Sequence, residues 1–139
     1  MSVPINPTLL PTPSGFSHGM VSESGRLLHI AGETGHHRDM SLDDGFVEQF
    51  GQACRNIAAV IDAAGGAPTD LVSLTIFATD VPAYRKNLAE VGRAYQSVFG
   101  KHFPAMALVG VSELVDPAAM VEMTGVAVIP DSTPPNSFL

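Results

Sequence analysis

Tryptophan is absent, cysteine occurs once and basic residues number only seven among 139 positions. Each scarcity excludes something. A single thiol, Cys54, cannot close an internal disulfide, so the expected compartment is a reducing cytoplasm. Seven basic residues stand against fourteen acidic ones, a net charge of −7, and only Arg85 and Lys86 are adjacent. Neutralising a phosphate backbone takes clustered Lys and Arg, so no nucleic-acid partner is expected. No apolar run approaches the roughly 20 residues that span a bilayer, and no membrane partner is expected. The Met-Ser-Val-Pro start has neither the basic stretch nor the apolar region of a secretory signal, and none is expected. Charged residues make up only 15% against 45% hydrophobic ones, which excludes a disordered chain.

What is present suits one domain over residues 1–139. A chain of this length buries roughly two-thirds of its unfolded surface, enough for a core without a structural metal. Residues 1–15, with Pro4, Pro7, Pro11 and Pro13, read as an irregular arm, and residues 130–139 as a frayed tail. Apolar residues at three- and four-residue steps predict a helix from Asp43 to Ala64, with Ser41 as N-cap and Gly65-Gly66 as stop. A second helix is expected from Val81 to Phe99 on the stripe Tyr84, Leu88, Val91, Tyr95 and Val98. Asp80 caps it, Pro82 sits in its first turn and Gly100 closes it.

Strands are expected over Phe16–Ser22, Leu27–Gly32, Leu71–Thr79, Ala105–Val111 and Met120–Ile129, with Gly25 turning the first pair into a hairpin. In the last strand Val121, Met123, Gly125, Ala127 and Ile129 form one apolar face; Glu122, Thr124, Val126 and Val128 form the other. The order β-β-α-β-α-β-β predicts an α+β fold, a mixed sheet with two helices on one face. Two helices leave the far face open, where Phe77, Val126, Val128 and either Met106 or Val109 would lie. Covering so much apolar surface calls for a homo-oligomer, and closed rings are the usual symmetry.

Six segments carry a resemblance by their order and spacing. They are Gly-Phe-Ser-His-Gly (15–19), His-Ile-Ala-Gly-Glu (29–33), Cys-Arg-Asn-Ile-Ala-Ala-Val-Ile (54–61), Thr-Ile-Phe-Ala-Thr-Asp (75–80), Phe-Pro-Ala-Met (103–106) and Val-Glu-Met (121–123). From Pro13 to Ile129 the chain resembles the YjgF/RidA family of reactive-intermediate deaminases, sometimes labelled L-PSP endoribonucleases. The resemblance implies a chorismate-mutase-like fold and a homotrimer with ligand clefts between subunits. It implies hydrolysis of enamines and imines to 2-keto acids and ammonia, with no bound cofactor. In that family an arginine in a Pro-Ala-Arg motif grips the substrate carboxylate, as a guanidinium fork suits.

Here the motif reads Pro104-Ala105-Met106, and methionine cannot form that pair. Phe16 stands where many members carry Tyr, Ala31 where many carry Ser, and Glu33 where Gln is common. Glu122 is retained at the position implied to orient water, while Thr124 replaces a second glutamate. The resemblance therefore makes Glu122 and Glu33 the catalytic candidates. Without it, Glu122 reads as a solvated strand carboxylate and Glu33 as an exposed loop acid. The substrate-binding candidates are Phe16, Ser17, His18, Ala31, Phe77, Thr79 and Met106. His18 is a second candidate for moving a proton, against the plainer reading of a structural histidine.

His29, Glu33, His36 and His37 cluster in sequence without reproducing an established ligand spacing, so no metal is expected. Cys54, beside the apolar stripe of the first helix, reads as a buried structural thiol. The ribonuclease label finds neither a basic groove nor a usable His pair. The function expected is hydrolysis of an imine, enamine or related bond with altered specificity. The alternative is a trimer that binds or senses a small molecule without catalysis.

Overall fold

The computed structural model describes residues 2–131. The tail expected over 130–139 lies outside the described residues beyond Asp131. Six strands and three helices follow one another as β1 (Ser2–Ile5), β2 (Gly19–Ser22), β3 (Arg26–Thr34), α1 (Phe46–Ala63), β4 (Leu71–Ala78), α2 (Val81–Lys86), α3 (Leu88–Phe99), β5 (Ala105–Gly110) and β6 (Val121–Ile129). A short 3-10 turn over Pro68–Asp70 leads into β4. The main sheet has the order β3-β6-β4-β5. It is mixed: β6 runs antiparallel to β3 and β4, while β4 and β5 are parallel across α2 and α3. The expected α+β architecture with helices on one sheet face is therefore present.

Several local expectations change. Residues 2–5 are not irregular but form β1, paired antiparallel with β2 from Ser2↔Ser22 to Ile5↔Gly19. Pro4 is compatible because an edge strand has backbone positions that need no N–H donor. The Gly25 hairpin does not form, since β2 takes β1 as partner and β3 takes β6. The helix expected over 81–99 breaks at Asn87. There the side-chain amide donates to the Ala83 carbonyl at 2.7 Å, replacing a helical backbone bond.

Capping follows the same logic. Asp80 caps α2 as expected, its Oδ1 accepting from the Ala83 N–H at 3.0 Å. Ser41 does not cap α1. Its hydroxyl donates to Asp39 instead, and the N-cap is Gly45.

The core lies between the sheet and the helices. Ile57 and Ile61 of α1 are fully buried, as are Val121, Met123 and Ala127 of β6. Val91, Tyr95 and Phe99 of α3 and Leu74, Ile76 and Ala78 of β4 complete it. Each large aliphatic side chain removed from water stabilises the fold by about 1.5–3 kcal/mol. Gln49 is the one large polar side chain inside the core among the described residues. Its amide donates to the Asp43 and Ala118 carbonyls, and its oxygen accepts from the Met120 N–H. It ties α1 to the entry of β6.

The far face carries the other set. Phe77 stands opposite both Glu122 and Val109, Leu27 opposite Val128, and His29 opposite Val126. Val109 is thus the far-face residue of β5. Met106 pairs with the buried Leu74 and belongs to the helix side. Leu27 and Val109 are 63% and 44% exposed in the single chain, so this face is apolar and uncovered.

Candidate functional site

Two features gather the chemistry-bearing residues, and they lie at opposite edges of the sheet. The first is a bulge in β3. The β3–β6 register slips between Ile30 and Glu33. Thr124 Oγ1 donates to the Ile30 carbonyl at 2.6 Å, satisfying an acceptor at the irregularity. Beyond the slip, Glu33 stands opposite Met123 and Thr34 opposite Glu122. The Glu122 carboxylate lies against Gly32, where a Cβ would run into it. Partial burial, and then the nearby Glu122 charge, push the Glu33 carboxyl above the ordinary carboxylate range. Two acids thus share one bulge, one of them disposed to hold its proton.

The end of β3 is held from outside the acid pair. The Asn56 amide of α1 donates to the carbonyls of Thr34 and His36. His36 hydrogen-bonds Thr34 Oγ1 through Nδ1 and Asp116 through Nε2, the latter at 2.8 Å. Asp116 is held below the usual carboxylate range by the Ala118 N–H and by His36. His37 pairs with Asp43. His36 and His37, adjacent in sequence, therefore go to separate partners. Among the described residues no three His, Cys, Asp or Glu side chains gather as a metal site would require.

The second feature is an open groove of about 660 Å³ between α3 and β5. Segment 14–16 forms one wall because Ser17 is anchored beside β5. Its N–H donates to the Pro104 carbonyl, and its hydroxyl to the Phe103 carbonyl at 2.6 Å. Phe16 and Met106 both line the groove, with Tyr84 of α2, Leu88 and Gly92 of α3, and Leu108 of β5. The break at Asn87 separates Tyr84 from Leu88 in the chain, but both still reach this wall. Among the described residues no Lys, Arg, Asp, Glu or His lines the groove.

The sequence candidates thus fall into three groups. Phe16 and Met106 meet in the groove. Glu33 and Glu122 lie near enough at the bulge for the charge of one to act on the other, with Ala31 exposed on edge strand β3 and Phe77 on the far face beside Glu122. Ser17, His18 and Thr79 hold backbone. The His18 ring bonds the Pro11 carbonyl at 2.8 Å, the His18 backbone N–H donates to Asn6 Oδ1, and the Thr79 N–H donates to the Met120 carbonyl. Cys54 is fully buried and its thiol is pushed up to about 12 by burial, so it stays protonated.

Sequence reading missed Gly32, Gly92 and Leu108, and it took Tyr84 and Leu88 for a core stripe. A helical stripe wide enough to reach past the core would have been the only sign.

Fold and site together define a small α+β domain with an acid pair on one sheet edge and an apolar groove at the other. The endoribonuclease L-PSP family model matches residues 9–129, and the chain belongs to that family, the YjgF/RidA family. A RutC family protein of Aquifex aeolicus is 33% identical over 107 residues, covering 75% of this chain and 82% of that protein. The chain is similar in structure to YyfB of Yersinia pestis, a Rid family protein described as of unknown function. That likeness has a TM-score of 0.80 at 30% identity, over 92% of this chain and 98% of the other. RidA from an Antarctic Psychrobacter is 27% identical with a TM-score of 0.66, over 86% and 92% of the two chains.

Proposed function

We propose that this protein hydrolyses a small imine or enamine, or a related C=N bond, in a cleft between subunits of a homotrimer. The observation that carries the reading is the Glu33–Glu122 pair at the β3 bulge, with one carboxyl shifted toward its protonated form. β3 and β5 are the two edges of the main sheet. In a ring, the β3 edge of one copy lies beside the β5 edge of the next. The acids of one subunit then face Phe16 and Met106 of its neighbour. Such a head-to-tail contact closes into a ring when the rotation permits. It also covers the apolar far face, and the family resemblance implies three copies.

In this reading Glu122 orients a water molecule toward the C=N carbon. Water oxygen bonds to that carbon and gives a proton to Glu122, while the Glu33 carboxyl protonates the imine nitrogen, giving a carbinolamine. Glu122 then returns its proton to that nitrogen, the C–N bond breaks and ammonia leaves, and the hydroxyl proton passes to Glu33 as the carbonyl forms. A carboxyl that keeps its proton above the ordinary carboxylate range suits this exchange. His18 is less suited because its ring already bonds the Pro11 carbonyl. No metal or cofactor enters the scheme. Cleavage of RNA is not part of it, since a net charge of −7 with dispersed basic residues offers no phosphate track.

A second reading, binding without turnover, is favoured by one observation: the groove has an uncharged methionine, Met106, where the family resemblance implies the carboxylate-binding arginine. The deciding experiment is ammonia release from freshly generated 2-iminobutanoate and from the imine of a neutral ketone. Wild type and Glu122→Gln are compared. Hydrolysis above the uncatalysed rate, reduced tenfold or more in Glu122→Gln, is expected. Turnover unchanged in the variant refutes the mechanism. No turnover of either substrate supports the binding reading.

A further inference from the structure

We propose that the α3–β5 groove takes a neutral ligand with a ring-sized apolar body and one uncharged hydrogen-bonding group, and that Gly92 admits the ring. This deepens the reading above, since it treats the groove as the substrate half of the cleft.

Gly92 is the first observation. It sits inside α3, between Leu88 and Phe99, where glycine weakens a helix relative to alanine. Nothing among the described residues requires it there: a Cβ built at Gly92 would meet none of their atoms within 4 Å. Gly51 on α1 differs, because its Cβ would touch Ala94 at 3.6 Å where the two helices pack. Gly92 lines the groove, and its missing side chain widens it. The helical cost is offset by what the widened groove can receive.

The walls state the chemistry. Phe16, Tyr84 and Phe103 supply rings, and Met106 and Leu108 supply adaptable aliphatic surface. About 660 Å³ is the size of a small-molecule site. A carboxylate brought here would lose part of its water and find no cation among the described residues, which disfavours it. The net charge of −7 repels it further. The polar inventory is short. The Tyr95 hydroxyl is committed to the His102 carbonyl at 2.6 Å. Tyr84 and Gln96 line the groove, and their side-chain polar atoms make no hydrogen bond among the described residues. They suit one carbonyl, amide or hydroxyl on the ligand.

The test is fluorescence titration of the full chain with N-phenyl-1-naphthylamine, a neutral aromatic probe. Two competitors of matched body displace it: 4-phenyl-2-butanone, which is neutral, and 4-phenylbutanoate, which is charged. The ketone is expected to displace the probe at a concentration at least tenfold lower than the carboxylate. Gly92→Leu is expected to weaken the probe tenfold or more while the melting temperature holds or rises. Leu88→Trp, at a 56% exposed position on the same wall, is the second plug should the first fold poorly. Met106→Arg is expected to reverse the preference between competitors.

Equal or stronger displacement by the carboxylate overturns the proposal. So does unchanged probe binding in both plugged variants. A plugged variant that dissociates in sedimentation, with the probe still bound, overturns it in favour of a second copy of the chain in the groove. None of these readouts needs turnover. Failure of the hydrolysis experiment therefore leaves the ligand class standing, and failure here leaves the acid-pair chemistry to its own test.

Discussion

Gly32 and Gly35 lie three residues apart, and alanine at each should do opposite things. A Cβ at Gly35 would lie 2.6 Å from the Gln49 carbonyl oxygen and 2.9 Å from its Cα. Both are backbone atoms of a buried helical residue and cannot move without moving α1. Overpacking of this kind costs about 1–3 kcal/mol. For a chain of this size that lowers Tm by roughly 4–12 °C. A Cβ at Gly32 meets only the flexible end of Glu122. The carboxylate swings aside, and the loss of chain entropy in the unfolded state returns about 0.4–1 kcal/mol. Gly32→Ala should therefore stay within about 1 kcal/mol of wild type in urea unfolding. Its ammonia release should nevertheless fall roughly 10- to 100-fold, as a displacement of about 1 Å in a positioning group does. Gly35→Ala should show the reverse, a large loss of stability with turnover per folded molecule largely kept. The reasoning fails if Gly32→Ala unfolds as readily as Gly35→Ala. It fails equally if Gly32→Ala keeps both stability and full turnover, which would detach the Glu122 carboxylate from the chemistry.

Glu33→Gln should stabilise the protein in a pH-dependent way. The folded state holds the Glu33 proton more tightly than the unfolded state, so stability falls as pH rises from the ordinary carboxylate value to the raised one. The variant should thus match wild type at pH below about 4, gain in Tm as pH rises, and level off above the raised value. A gain constant with pH would contradict the shift. Gln49→Leu leaves the Asp43 and Ala118 carbonyls and the Met120 N–H without partners. It should cost about 2–4 kcal/mol in urea unfolding. A cost below about 1 kcal/mol would mean that water replaces the amide.

Much of the fold was legible because periodicity is local. The alternation in β6 and the three- and four-residue steps of α1 placed both elements within a few residues of their ends. The break at Asn87 was not legible, since the stripe from Tyr84 to Leu88 keeps helical spacing across it. Nor was β1, where prolines suggested an irregular arm but an edge position tolerates one. Of the site, Glu33 and Glu122 were readable only through the family resemblance. By themselves they are a loop acid and a strand acid. Their pairing depends on a bulge that brings Thr34 opposite Glu122, a long-range register that local pattern does not encode.

The sequence by itself determined the chemistry on offer: two acids, an uncharged Met106 where the family resemblance implies an arginine, and basic residues too dispersed to form a phosphate track. It also determined that one sheet face would be apolar and uncovered by two helices. Only the tertiary structure decided where these groups stand. Strand order put β3 and β5 at opposite edges, and register turned Met106 inward beside Leu74 while Phe77 stayed outside with Glu122. The reason is physical. A strand's alternation names two faces but not which one meets the helices, and that is settled only when partners from distant parts of the chain pair in one register.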